Sequence, residues 1–149
     1  MIHIDLEKAT WLLDQCVKQR GEDYVYPSDH CRYVDGNSRT VWIDETQQCI
    51  TIKTPDEAKP GCMIGLALIK AGVPMSTFLE LEINDADSHQ ALDELSRKGY
   101  LTITSPAKDL FEIAQSHQDR QTPWGVALEK AKGSRTSQHT SSTATTMRS

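Results

Sequence analysis

The sequence predicts an α+β fold, mostly α: a small helical domain around a buried central helix at about residues 61–72, with a β-hairpin at about 39–53 and a disordered C-terminal tail. Three observations carry this reading. Apolar residues recur three or four apart along most of the chain, as one face of a helix requires. Two short runs, 40–44 and 49–53, alternate with period two, as strands do. Beyond Gly133 the chain is almost wholly Ser, Thr, Gln and single charges. At 149 residues the chain fits one domain, since a second core is hard to build at that length. Residues 1–133 are therefore expected to form a single globular domain and 134–149 a disordered Ser/Thr-rich tail that cannot recover the entropy of ordering.

The elements follow in order. Leu6, Ala9, Leu13, Cys16 and Val17 share one stripe of a helix over 4–20, stopped by Gly21. From 22 to 37 the pattern breaks up around Tyr24, Tyr26, Pro27, Tyr33 and the turn pair Asp35-Gly36. Val41 and Ile43, then Ile50 and Ile52, alternate on either side of the polar run Glu45-Thr46-Gln47-Gln48, which reads as a hairpin. An isolated two-stranded ribbon is marginal in water. The hairpin is thus expected to lay an apolar face on the helices or to pair with a further strand, for which Tyr100–Thr104 is the candidate.

Pro60-Gly61 opens the central helix, and Gly72 and Pro74 close it; it is apolar nearly all round, as in a helix buried on most sides. Thr77 and Glu80 form a capping box for a short helix carrying Phe78, Leu81 and Ile83. Asp87 or Ser88 caps a helix with Ala91, Leu92 and Leu95 inward, ending at Gly99. Ser105 at N-cap and Pro106 at N1 start the helix bearing Ala107, Leu110, Phe111 and Ala114. Thr122-Pro123 repeats the device for a last helix with Trp124, Ala127, Leu128 and Ala131.

Charge narrows the function classes. Of the 16 basic residues, Lys130, Lys132, Arg135 and Arg148 lie in or beside the tail, so 1–129 hold all 21 acids against 12 bases, about −9. A body this acidic lacks the clustered cations that grip phosphates, which makes nucleic acid an unlikely partner. No stretch reaches the roughly 20 apolar residues of a membrane span, and a start containing Asp5 and Glu7 lacks the basic-then-apolar secretion signal. A cytoplasmic location is expected, with Cys16, Cys31, Cys49 and Cys62 as reduced thiols.

Cys62 carries the most chemistry. A thiol at a helix N-terminus feels the positive end of the dipole, which lowers its pKa, and His30, His89 and His117 are the candidate bases. The commoner reading is a small apolar residue at the mouth of a buried helix. His30, Cys31, Cys49 and Cys62 would have to converge to hold zinc, yet they lack the close C-x-x-C pair with which one turn supplies two ligands. Adjacent carboxylates such as Asp93-Glu94 point apart and make no acid/base pair. Nucleotide-loop, zinc-protease and hydrolase-elbow motifs are missing, and no cofactor is expected. An anion at the amides of Gly61-Cys62 or of Ser105 has no basic cluster beside it. Gln115, Gln118 and Asp119, ahead of Thr122-Pro123-Trp124, are suited to capping the next helix or to meeting a partner. Tyr24, Tyr26, Tyr33, Trp42 and Trp124 are the partner-binding candidates, because amphipathic rings serve equally as core lids and as interface anchors.

The order of Asp23-Tyr24-Val25-Tyr26, Cys31-x-Tyr33, Pro60-Gly61-Cys62-Met63-Ile64-Gly65-x-x-Leu68-x-x-x-Gly72-Val73, Gln115-x-x-Gln118-Asp119 and Trp124-Gly125-x-Ala127 resembles a group of small uncharacterised proteins encoded by actinobacterial phages, prophages and plasmids. The resemblance spans most of 23–131 and implies no reaction. It implies a setting: accessory proteins of mobile elements that act on host proteins. The reading that follows is a non-catalytic phage or prophage accessory protein that binds a partner, a host protein, in the host cytoplasm. The alternative is a small cysteine-dependent hydrolase or transferase with Cys62 as nucleophile.

Overall fold

In chain order, β1 (Ile2–Ile4) leads into α1 (Leu6–Arg20). Four strands follow: β2 (Val34–Asp35), β3 (Ser38–Ile43), β4 (Gln48–Lys53) and β5 (Lys59–Pro60). Then come α2 (Met63–Ala71), α3 (Met75–Glu80), α4 (Ser88–Arg97), β6 (Leu101–Ile103), α5 (Ser105–Asp119) and α6 (124–133). The computed structural model describes residues 2–27, 32–36, 38–53 and 57–133, and for 38–40 the backbone alone. The expected disordered tail at 134–149 lies outside the described residues.

The run Met63-Ile64-Gly65-Leu66-Ala67-Leu68 is buried without interruption, so α2 is the central helix that its all-round apolar sequence calls for. Gly65 is what lets the chain cross it. A Cβ there would collide with the backbone of Tyr33, so the 32–34 segment lies directly on the helix. Gly72, at φ 117, closes α2 with its N–H on the Ile69 carbonyl, a left-handed stop that glycine adopts without a Cβ penalty.

Around α2 the other helices bury one stripe each. In α1 these are Ala9, Leu12, Leu13, Cys16 and Val17, with Asp5 capping the Lys8 N–H at 2.8 Å. Leu6, expected on that stripe, is exposed. Ala91, Leu92 and Leu95 of α4, and Ala107, Leu110, Phe111 and Ala114 of α5, face inward, as do Trp124, Ala127, Leu128 and Ala131 of α6. Each large aliphatic or aromatic side chain so buried contributes roughly 1.5–3 kcal/mol. Buried residues from Ile4 to Ala131 form one cluster.

The strands depart from expectation. Leu101–Ile103 does not extend the hairpin; it pairs in parallel with β1, Ile2 against Leu101 and Ile4 against Ile103. β2 and β5 pair antiparallel, Val34 with Pro60 and Asp35 with Lys59. They bracket the β3–β4 hairpin, whose register runs from Ser38–Lys53 to Ile43–Gln48. That hairpin does not lay an apolar face on the helices: every residue of β4 is exposed.

Two caps also move. Thr104, not Ser105, caps α5, its Oγ1 accepting from the Ala107 N–H at 3.3 Å. α3 begins at Met75 after Pro74 with no side-chain cap, and Thr77 is buried inside it. The extended entry residue stands one position before the expected cap in α5, at Thr104, and three before it in α3, at Pro74.

Candidate functional site

The mouth of α2 is the natural place to look for chemistry, and it is closed. Cys62 is the helix N-cap and fully buried, and its sulfur is disulfide-bonded. That corrects two expectations, a reduced thiol and a nucleophile, since a disulfide sulfur has no thiolate lone pair to deliver. Compartment set the expectation, whereas three-dimensional proximity decides pairing. The amides are engaged as well. Gly65 N–H reaches the Cys62 sulfur at 3.5 Å and Met63 N–H donates to Gln118 Oε1 at 2.7 Å. Cys62 N–H donates to the Arg32 carbonyl and Gly61 N–H to that of Tyr33, at 2.8 and 3.0 Å. Arg20 ties down the preceding turn, donating to the carbonyls of Pro60, at 2.7 Å, and Gly61. An anion at Gly61-Cys62 would have to displace these acceptors.

The remaining sulfur and imidazole groups do not build a centre. Cys16 is buried with its thiol against the Met63 carbonyl at 3.7 Å, and burial pushes its pKa up to about 12. Cys49 is an exposed free thiol on the hairpin. His89 bridges α4 and α5 on the surface, Nε2 3.2 Å from Asp93 and Nδ1 3.1 Å from Glu112. Burial and the nearby Arg120 and Lys130 charges lower the pKa of His117. Of the zinc candidates, His30 and Cys31 lie outside the described residues, and Cys49 and Cys62 occupy an exposed arm and a buried helix mouth. Among the described residues no group of three or more His, Cys, Asp or Glu is placed to hold a metal ion.

Three of the five aromatic candidates build the interior, and a fourth, Tyr24, packs half-buried against it. Tyr33 is fully buried, stacked on Phe78 at 5.2 Å with its hydroxyl donating to the Ala86 carbonyl at 2.9 Å. Tyr26 is buried with its hydroxyl on the Asp35 carboxylate at 3.0 Å; burial, and then the Asp35 charge, push its pKa up. Trp124 is fully buried, with Tyr24 edge-on at 4.7 Å and the Arg20 guanidinium 5.0 Å from its ring. Tyr26, Tyr33 and Trp124 are thus taken up by packing, while Tyr24 is only partly covered. The amides cap, though not the next helix: Gln118 reaches across to α2, and Gln115 accepts from Ser88 N–H of α4 at 2.8 Å.

Trp42 alone of the five is on the surface, 52% exposed, its indole N–H held by Asp44 at 2.7 Å. Alternation along paired strands places Val41, Ile43, Ile50 and Ile52 on one face of the hairpin, and Trp42 opposite Cys49 on the other. Ile50 and Ile52 are 44% and 36% exposed. Acids sit only at the tip, Asp44 and Glu45, and β4 carries just Lys53. A second exposed ring, Trp11 at 53%, stands on α1 with the Lys8 ammonium 5.2 Å from its centroid. The helical period could have found it, because Trp11 falls two positions off the Ala9–Leu13–Cys16 stripe.

One exposed stretch of the body is acidic. Glu80, Glu82, Asp85 and Asp87 are all exposed within one stretch that contains no base, and Asp85 pairs with Arg32 at 3.2 Å. No helix of the described residues is long and apolar enough to cross a membrane. The chain matches no protein-family model, no curated protein and no solved structure.

Proposed function

We propose that this chain is a non-catalytic binding protein, an accessory factor of a phage or prophage that acts on a host protein in the host cytoplasm, and that the β3–β4 arm is what it binds with. One observation carries the reading: the hairpin holds Trp42, Ile50 and Ile52 in solvent, where a ribbon with no other use would either pack them or lack them. Interfaces concentrate their energy in a few aromatic and aliphatic anchors set among neutral contacts, and the arm supplies such a set on both faces. The acidic stretch from Glu80 to Asp87 favours a basic partner, because complementary charge raises the rate of encounter. The phage setting rests on the order of motifs in the sequence.

The test is a comparison rather than a single capture. Full-length protein and a Trp42→Ser/Ile50→Ser variant are immobilised at equal density and exposed to lysate of an actinobacterial host. A protein retained by the first and lost from the second, with helical circular dichroism the same in both, supports the arm as the contact. Equal retention by the two overturns it.

A further inference from the structure

We propose that β4 is also the interface of a homodimer, in which the edges of two copies pair antiparallel about a two-fold axis at Thr51. β4 offers six consecutive exposed residues in unbroken register with β3, and no other described strand occupies its outer edge. Such an edge is a template for another chain, and proteins normally guard it with proline, bulges, inward charges or shortness. β4 has none of these except Lys53 at its end, and Ile50-Thr51-Ile52 is a β-branched run suited to pairing.

The second copy is the occupant because the strand is complementary to itself. About an axis at Thr51, Ile50 lies opposite Ile52 of the second copy and Ile52 opposite its Ile50. Thr51 meets Thr51, and Cys49 meets Lys53, so no like charges oppose one another. An axis one residue away, at Ile50, would set Gln48 against Ile52. An axis between residues would turn the second hairpin over, since a one-residue shift exchanges the faces of a strand. In the Thr51 register Val41, Ile43, Ile50 and Ile52 of both copies fall on one side of a four-stranded sheet, which supplies the breadth a two-stranded ribbon lacks. β4 has no acid, so the contact forms at a neutral-to-basic strip on a chain of net charge −5. The dimer goes beyond the binding reading above and does not depend on it; its test contains no other protein.

Sedimentation equilibrium of the full chain carrying Cys49→Ser, over a thousand-fold range of concentration, should show the mass doubling. Thr51→Lys sets two ammonium groups face to face at the axis while leaving the exposed hairpin position otherwise undisturbed, and should keep the protein monomeric. On mild oxidation Cys49→Ser/Thr51→Cys should form a covalent dimer much faster than Cys49→Ser/Ile50→Cys, because only position 51 meets itself. A monomer throughout, a dimer that survives Thr51→Lys, or faster cross-linking at 50 than at 51 would each overturn the proposal.

Discussion

The sulfurs of Cys16, Cys49 and Cys62 have three different fates although their side chains are chemically the same. Cys49 is exposed, Cys16 is buried with its thiol held up at about 12, and Cys62 is disulfide-bonded. Timed alkylation of the folded protein at neutral pH should therefore label Cys49 first, Cys16 only on unfolding and Cys62 only after reduction. Repeating it on protein quenched inside cells tests the cytoplasmic setting, where such a bond is rare; prompt labelling of Cys62 there would mean the bond forms only after lysis. The Cys16 shift also fixes a sign. Its folded pKa lies above the ordinary value of 9.0, so above pH 9 the unfolded chain loses a proton that the folded one keeps, and stability falls as pH rises. Its contribution is intact below pH 9 and declines by about 1.4 kcal/mol per pH unit toward 12. Urea midpoints for wild type and Cys16→Ala between pH 8 and 11 should converge as the pH rises; parallel curves would remove this cause.

At the scale of elements, the crossing of α2 by the 32–34 segment rests on one missing side chain. Gly65→Ala should destabilise the protein by about 1–3 kcal/mol or more in equilibrium denaturation, because the obstacle is the Tyr33 backbone and not a side chain that could swing away; Gly99→Ala, where a Cβ meets nothing within 4 Å but φ is 84, serves as the comparison for backbone strain alone. The helices were readable in the sequence because a period near 3.6 needs only one chain: α1, α2, α4, α5 and α6 fall where Leu13, Leu66, Leu92, Leu110 and Leu128 point. β1 is not, since Ile-His-Ile is too short to show alternation, and a lone strand at 101–103 does not say which partner it joins. The hairpin itself was legible in Val41, Ile43, Ile50 and Ile52, but its exposure was not, because alternation says which residues share a face and nothing about what covers it. The same limit leaves Tyr26 and Tyr33 open between core lid and interface anchor, since their polar tips suit a surface as well as a core, whereas Trp124 falls on the apolar stripe of its helix and is buried there.

For the whole molecule, the arm and the body are separable. β2 and β5 pair at the base of the hairpin, and no described side chain of the arm belongs to the buried cluster that runs from Ile4 to Ala131. Replacing 38–53 by a short Gly-Ser turn should leave the thermal midpoint within about 2 °C of wild type, given that removal of surface elements outside the core usually costs little. Abolished partner retention with an unchanged midpoint would place the function in the arm; a large fall in midpoint would show that the arm supports the fold.

The parallel pairing of Ile2–Ile4 with Leu101–Ile103 orders events during synthesis. α1 leaves the ribosome early, with Leu12, Leu13 and Val17 uncovered, whereas β6 and the inner face of α5 appear only after both the arm and the central helix have been made. Until α2 and then α5 follow it, this helix is an apolar stripe without its full cover, and β1 waits for residues 99 positions away before its pairing can form.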